Sequence, residues 1–151
     1  MAQFLLSSRS LTRLDGVDEK LISVVRSAIE KTSIDFGVIC GMRTQAEQKA
    51  LFDKGASKTM KSKHLDGQAV DLMAYISGRG SWELNLYDEI ADSMKLAAIE
   101  QKVGVRWGAA WNVPDIRLWE GTMEAAMNHY IDTRRSQDRR PFIDGPHFEL
   151  I

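Results

Sequence analysis

The most informative stretch of the chain covers residues 62–71 and reads Ser62-Lys63-His64-Leu65-Asp66-Gly67-Gln68-Ala69-Val70-Asp71. The apolar residues in its second half predict a strand over residues 68–75. His64 lies just before this strand and Asp71 lies inside it, so a turn at Gly67 would bring both side chains to one point. An imidazole and a carboxylate placed together suit a metal ion such as zinc.

A second stretch near the end of the chain completes a set of three candidate ligands. It reads Asp144-Gly145-Pro146-His147-Phe148-Glu149, and His147 would join His64 and Asp71 from a last strand. A catalytic zinc ion uses three protein ligands at about 2.0–2.2 Å and keeps the fourth position for water. The residues alone leave another interpretation open, in which His64 belongs to a lysine-rich loop, Asp71 caps a strand end, and no metal binds.

The rest of the chain predicts helices and strands in alternation. Apolar residues at helical spacing and capping residues such as Thr44 and Ser81 mark the helices, and short apolar runs mark the strands. The predicted helices are 18–31, 44–54, 82–102 and 123–133, and the predicted strands are 36–40, 68–75, 105–108 and 146–150. These elements predict an α+β fold, with helices packed on a small, largely antiparallel sheet.

Length and composition exclude several classes of protein. A chain of 151 residues fits one compact domain, and a formal net charge of −1 does not point to nucleic acid as a partner. Cys40 is the only cysteine, which rules out an internal disulfide, and in its apolar strand it is expected to be a small buried residue. The first ten residues lack the pattern of a secretory signal, and no apolar run is long enough to predict a membrane span.

Four landmarks together resemble a known superfamily of zinc peptidases. Ser-x-His-x-x-Gly-x-Ala-x-Asp at 62–71 is similar to the signature of the D-alanyl-D-alanine carboxypeptidase and L-alanyl-D-glutamate peptidase superfamily. Residues 144–149 resemble its C-terminal motif, residues 41–44 a third landmark and residues 107–112 a fourth. The landmarks follow the family's order over most of the chain. The chain looks most like phage endolysins of the L-alanyl-D-glutamate endopeptidase type, with the metal site at the sheet.

The resemblance implies a role for each matched residue. His64, Asp71 and His147 would bind one zinc ion. Asp144 would serve as general acid and base, and Arg43 would contact the substrate carbonyl or the oxyanion that forms from it.

Three further residues are expected to support the site. Ser62, Glu149 and Trp111 would orient a ligand or contact the substrate. Ala110 stands where family members often have an acid, and the segment from 112 to 144 is long. The part that this region plays in substrate binding therefore stays open.

The function that the resemblance implies is hydrolysis of the L-alanyl-D-glutamate bond of peptidoglycan stem peptides during host lysis. The protein is expected to be a monomer formed of one catalytic domain, residues 1–151, without a separate wall-binding domain. It would wait in the host cytoplasm until a holin-like pore opens the membrane. The alternatives are a D-alanyl-D-alanine carboxypeptidase with the same ligands, a lysozyme-like glycosidase with two carboxylates and no metal, and a non-catalytic zinc-binding module.

Residues outside these motifs have less specific interpretations. His129 is expected to be a surface or packing residue. The basic loop over residues 134–140 is either a solvated surface or a patch attracted to anionic parts of the bacterial envelope. Trp107, Trp111 and Trp119 are each expected in the core or along a cleft, and Trp82 is expected to open a helix.

Overall fold

The computed structural model describes residues 3–151; Met1 and Ala2, where the N-terminal segment discussed above begins, lie outside the described residues. Within the described residues, five strands form one sheet: β1 (Asp35–Cys40), β2 (Ala69–Ile76), β3 (Arg79–Ser81), β4 (Val105–Trp107) and β5 (His147–Leu150). In this sheet β2 lies between β1 and β5, β5 lies between β2 and β4, and β3 also pairs with β2. All these pairings are antiparallel.

Five α-helices and two short 3-10 turns surround this sheet. The helices are α1 (Ser8–Arg13), α2 (Glu19–Lys31), α3 (Gln45–Asp53), α4 (Leu84–Gln101) and α5 (Met123–Ser136), and the 3-10 turns are Lys63–Asp66 and Ile116–Leu118. The buried apolar faces of α2 and α4 pack together, and their residues join those of the strands in one hydrophobic core. The predicted α+β fold with a small antiparallel sheet is confirmed.

Helix α3 begins where the sequence predicts, and its start fixes the residues before it. The Thr44 hydroxyl accepts a hydrogen bond from the Glu47 backbone N–H, and the Glu47 carboxylate accepts one from the Thr44 backbone N–H. This capping box satisfies two donors that a helix leaves unpaired at its first turn. It also sets the direction in which the chain leaves Arg43.

The predicted start of the long helix is wrong. Ser81 lies in β3 instead of capping α4, and the helix begins at Leu84 without a side-chain cap. Positive φ angles at Ser77 and Gly78 turn the chain back so that β3 can pair with β2. The Tyr87 hydroxyl then donates to the Ser81 carbonyl at 2.7 Å, which ties the hairpin to the helix.

Two smaller features also differ from prediction or were not predicted. Helix α1 was not predicted, and its buried Ser10 hydroxyl accepts a hydrogen bond from the Val38 N–H of β1. Helix α4 ends at Gln101, one residue before the predicted end, because Lys102 adopts the left-handed conformation of a C-cap. Among residues 3–151, no helix combines the length and apolar character needed to cross a membrane.

Candidate active site

The sheet brings one acid and one histidine of the motifs face to face. Asp71 of β2 is the register partner of His147 in β5 and also of Cys40 at the end of β1. Residues that are opposite one another in an antiparallel pair lie on the same face of the sheet. Three potential metal-binding side chains therefore lie in a row across three neighbouring strands.

His64 reaches this row from the 3-10 turn that precedes β2. The Ser62 hydroxyl caps the turn by accepting a hydrogen bond from the His64 N–H at 3.2 Å. Gly67 ends the turn with φ +70°, and a Cβ there would lie 2.3 Å from the Gly16 carbonyl oxygen. Only glycine satisfies both conditions, so the turn predicted at Gly67 is confirmed. Ser62 lies next to the site, where it holds the backbone of His64.

Hydrogen bonds on the far side of each imidazole fix which nitrogen faces Asp71. His64 Nδ1 lies 2.8 Å from the Gly41 carbonyl oxygen, which only accepts, so Nδ1 carries the proton. His147 Nε2 lies 2.8 Å from the Glu149 carboxylate and is protonated for the same reason. His64 Nε2 and His147 Nδ1 then lie 3.3 Å and 3.2 Å from the two oxygens of Asp71. Such outer partners are how proteins orient histidine ligands toward a metal.

The charge balance of the cluster also fits a metal ion. Burial opposes the charged form of His64, but the Asp71 carboxylate outweighs it and raises the pKa of His64 to about 10. The pKa of His147 is raised in the same way to about 9. Burial opposes the charge of Asp71 as well, yet both imidazoles hold its pKa well below the usual range. The site thus keeps an anion and attracts positive charge.

One buried nitrogen in this cluster lacks a hydrogen bond. His64 is 2% exposed, and its Nε2 has no hydrogen-bond partner among the described residues despite its closeness to Asp71. The donor atoms of Asp71, Asp144 and His147 lie within 4.8 Å of one another, as do those of Cys40, His64 and Asp71. Two imidazoles and a carboxylate are a donor set that fits a divalent metal ion, which would take the place of the imidazole protons.

Asp144 is held beside the cluster by the Trp-Gly motif of β4. The Asp144 N–H donates to the Gly108 carbonyl, and the Gly108 N–H donates to the His147 carbonyl, both at 2.8 Å. The indole of Trp107 donates to the Gly145 carbonyl at 2.7 Å. Burial and then the charge of Asp71 raise the pKa of Asp144. The motif thus acts as a clamp on the turn that carries both Asp144 and His147.

Arg43 lies on the other side of Asp71. Its Nη2 is 3.5 Å from Asp71 Oδ2, and its Nη1 donates to the Gln48 side chain at 2.6 Å. Gln48 is fully buried and also donates to the Ser57 hydroxyl and the Thr59 carbonyl at 2.9 Å and 2.6 Å. Sequence reasoning missed Gln48, because nothing in its local pattern distinguishes it from the exposed polar residues of the same helix.

Two more neighbours of the site were not foreseen. Lys63 donates to the Leu150 carbonyl and lies 3.5 Å from Glu149. Cys40 is half-buried at the edge of the site, not buried in the core as predicted, and its Sγ is 3.8 Å from His64 Nδ1. Burial raises the pKa of Cys40, but its contact with His64 outweighs that effect, and the pKa is lowered.

An open cleft of about 510 Å³ leads to these residues. Its lining includes the basic residues Arg43, Lys58 and Lys61 and the aromatic residues Trp111 and Phe142, and Lys58 Nζ lies 5.5 Å from the centre of the Phe142 ring. The Trp111 ring lies 5.5 Å from His147 and 6.4 Å from Phe142, measured between ring centroids. Trp111 therefore lines the cleft, which is one of the two positions predicted for it.

The other tryptophans and His129 have different surroundings. Trp107 is fully buried in the core, and Trp119 packs against the core and against the exposed His129. Trp82 precedes α4 instead of opening it, and its exposed side chain lines the cleft. Residue 110 is a fully buried alanine, so the acid that family members often have at this position is missing here.

Comparison with known proteins gives consistent matches. Residues 2–151 match the family model described as phage L-alanyl-D-glutamate peptidase. The L-alanyl-D-glutamate peptidase of Escherichia phage T5 is 30% identical, and the alignment covers 98% of each chain. The L-alanyl-D-glutamate peptidase of Listeria phage A118 is 29% identical over 70% of this chain and 37% of its own length.

Solved structures agree with these matches. The Serratia marcescens L-Ala D-Glu endopeptidase ChiX is 31% identical with a TM-score of 0.73, and the match covers 99% of this chain and 92% of that one. The vancomycin-resistance D,D-dipeptidase VanXYg, 18% identical with a TM-score of 0.50 over 89% of this chain and 50% of that one, shares the fold. From the family model and the full-length relative it follows that the chain belongs to the phage L-alanyl-D-glutamate peptidase family.

Proposed function

We propose that this protein is a zinc-dependent endopeptidase that hydrolyses the L-alanyl-D-glutamate bond of peptidoglycan stem peptides. The observation that carries the proposal is a set of two buried, oriented imidazoles that both face one partly buried carboxylate, with a second acid held beside it. The names of the family and of its relatives from phage T5 and Serratia marcescens support the choice of bond.

His64 through Nε2, Asp71 through its carboxylate and His147 through Nδ1 would hold the zinc ion. Bound there, zinc would supply a Lewis acid for the scissile carbonyl and would make a water molecule acidic enough to attack near neutral pH. Glu149 would keep His147 in the tautomer that leaves Nδ1 free, since it accepts a hydrogen bond from Nε2–H. Ser62 would hold His64 in position, since its hydroxyl accepts a hydrogen bond from the His64 backbone N–H.

Asp144 would take the proton from the attacking water and pass it to the nitrogen of the leaving amine. Its raised pKa suits both steps, since a base that must also act as an acid works best near the pH of the reaction. Arg43 would stabilise the negative charge that develops on the carbonyl oxygen, because it is a permanent cation beside Asp71. Trp111 would contact the substrate next to His147.

The biological role that we infer is lysis of the bacterial host. The buried apolar residues within the described range, residues 3–151, form one hydrophobic core, which supports a single catalytic domain, and we propose that it acts as a monomer. Peptidoglycan would be its partner, and a holin-like pore would let it pass from the host cytoplasm to the wall. No contact with nucleic acid is proposed, since the chain is nearly neutral overall.

Digestion of purified peptidoglycan tests this function. Mass spectrometry of the products should show new amino ends on D-glutamate and new carboxyl ends on L-alanine, and a chelator should stop their release until zinc is restored. Release of terminal D-alanine would favour the carboxypeptidase alternative. New reducing sugar ends formed in the presence of chelator would favour the glycosidase. No new ends at all, with zinc bound, would favour a non-catalytic zinc-binding module.

A further inference from the structure

A second cavity, next to the catalytic cleft, has the chemistry of an anion site. We propose that it binds a carboxylate of the peptide substrate while the scissile bond lies in the cleft, an assignment that rests on the proposed function. Its volume is about 470 Å³, and its lining includes Arg106, Trp111, Tyr130, Arg134 and Phe142. No aspartate or glutamate is among the residues that line it.

The side chain of Arg134 in α5 is the main evidence for an anion in this cavity. Its side chain is half-buried, its Nε is enclosed, and no hydrogen-bond or ion-pair partner of the side chain is found within residues 3–151. A guanidinium N–H group that is removed from water without an acceptor is unfavourable. An anion in the cavity would supply the acceptor, and the planar fork of the guanidinium suits a carboxylate.

Arg106 of β4 adds a second, fixed positive charge. Its guanidinium lies 5.2 Å from the centre of the Trp111 ring, and its Nε and Nη2 donate to the Trp111 carbonyl. Glu149 is its register partner across β4 and β5, but that carboxylate is engaged by His147 and Lys63. Within residues 3–151 the Nη1 group of Arg106 has no hydrogen-bond partner, so it can donate to a ligand.

The position of the cavity points to the substrate as the source of the anion. Trp111 and Phe142 line both the cavity and the catalytic cleft, so these two stacked rings are the wall between them. The Tyr130 hydroxyl donates to the Phe142 carbonyl at 3.0 Å and fixes this wall to α5. A peptide bound at the cluster and passing over the rings would bring its next polar group to the two arginines.

A peptide that contains the L-alanyl-D-glutamate bond offers two carboxylates for this cavity. One is the carboxyl of D-glutamate that is not part of the peptide chain, and the other is the carboxyl at the C-terminal end of the peptide. The test uses three soluble synthetic peptides with that bond: one with both carboxylates free, one amidated at the glutamate and one amidated at the C-terminus. Their kcat and KM are measured with the zinc-loaded full chain.

The variants are Arg134→Gln and a matched control, Arg135→Gln, which removes the same charge from the next residue of the same helix. Arg135 is exposed and does not line the cavity. Wild type should lose about tenfold or more in kcat/KM on one of the two amidated peptides, mainly through KM, because a charge-assisted hydrogen bond is lost. On the peptide with both carboxylates free, Arg134→Gln should show the reduced kcat/KM that wild type shows on that amidated peptide. The variant should therefore cleave these two peptides equally well. Arg135→Gln should behave as wild type.

Several results would overturn the assignment. Equal cleavage of all three peptides by wild type would do so, and so would an Arg134→Gln variant that keeps the preference. If Arg134→Gln were slower on intact walls but normal on the peptides, the cavity would bind an anionic wall polymer instead. If no peptide were cleaved, the proposed function would have failed. Titration calorimetry with the same three peptides would still test whether the cavity binds a carboxylate, because equal affinity for all three peptides would contradict that assignment.

Discussion

Asp71 is the residue on which the site converges. Its carboxylate oxygens lie 3.2–3.5 Å from His147, His64 and Arg43, so one anion faces three groups that can carry positive charge. A metal ion that binds there must displace the protons of both imidazoles, since a ligand nitrogen has to be neutral. Loss of Asp71 would leave the two histidines without the charge that draws a cation to them.

At the residue scale, the shape of the Arg43 side chain should matter as much as its charge. Arg43→Lys keeps the charge but cannot hold Gln48 and face the substrate oxygen at once, because an ammonium lacks the planar fork. We expect the rate to fall by about 10²–10³, the cost typical of losing one oxyanion donor. The measurement is kcat on a soluble peptide. An unchanged kcat would reduce Arg43 to a structural ion pair.

Gly108 should tolerate no side chain. A Cβ there would lie 2.3 Å from the Asp144 carbonyl oxygen and 3.0 Å from the His147 Cβ. We expect Gly108→Ala to lower the free energy of unfolding by about 1–3 kcal/mol, as overpacking does, and to weaken zinc binding because the clamped turn must move. Gly145→Ala in the same turn is the control, since its nearest atoms are 3.2 Å away. Equal effects of the two changes would argue against the clamp.

At the scale of elements, α3 and the loop after it are joined to the site through one side chain. Gln48 bonds to Arg43 on one side and to the Ser57 hydroxyl and the Thr59 carbonyl on the other. All three partners lose a hydrogen bond in Gln48→Leu. We expect faster hydrogen exchange over residues 56–62 and a higher KM, because that loop lines the cleft. The exposed Gln45→Leu on the same helix is the control. Unchanged exchange in the loop would contradict this coupling.

Helices α4 and α5 enclose an acid that the fold tolerates poorly when charged. Asp88 is 3% exposed, and burial, followed by the nearby charge of Glu124, raises its pKa to about 6. The folded state therefore binds more protons than the unfolded chain between about pH 4 and pH 6, and stability declines as the pH rises through that range. Asp88→Asn should raise Tm at pH 7 and leave it unchanged near pH 4. The same gain at both pH values would show that ionisation of Asp88 is not the cause.

The elements that the sequence predicted are those whose signals are local. The capping box at Thr44 and the left-handed turn at Gly67 need only a few neighbouring residues, and both occur where expected. The hairpin of β3 depends on Tyr87, a residue of the following helix that bonds to Ser81. A hydrogen bond of this kind leaves no periodic pattern in the residues of β3, so this strand could not be predicted from its own sequence.

The site shows the same division between local and distant signals. His64, Asp71, Asp144 and His147 stand out because motifs place them at fixed spacings. Gln48 and Cys40 belong to the site only because β1 and α3 fold against it. Their part in the site could not be read from their own neighbourhoods in the chain.

At the scale of the whole molecule, the cleft has a charge that the chain as a whole lacks. The formal net charge is −1, yet four basic residues of the catalytic cleft, Arg43, Lys58, Lys61 and Lys63, outnumber its three acids, Asp71, Asp144 and Glu149. Arg106 and Arg134 add positive charge in the cavity beside it, which no acid lines. A local excess of positive charge raises the local concentration of anionic ligands. A substrate that carries carboxylates suits this surface better than a neutral sugar chain does.

The two aspartates of this cluster, Asp71 and Asp144, are expected to have different roles, one as a metal ligand and the other as the catalytic base. Asp71→Ala removes an anionic ligand and should lower zinc affinity. Asp144→Asn keeps nearly the same shape and should keep the zinc, but an amide cannot accept the proton of water, so the rate should fall by about 10² or more. His129→Ala, outside the cluster, should change neither quantity and serves as the control.

The most direct measurement is zinc content and initial rate of wall lysis on the same batch of each protein. We expect Asp144→Asn to contain zinc and to be nearly inactive, and Asp71→Ala to be depleted of zinc. An Asp144→Asn protein that has lost its zinc would show that Asp144 is a ligand. One that is zinc-loaded and lyses walls at close to the wild-type rate would show that another group is the base.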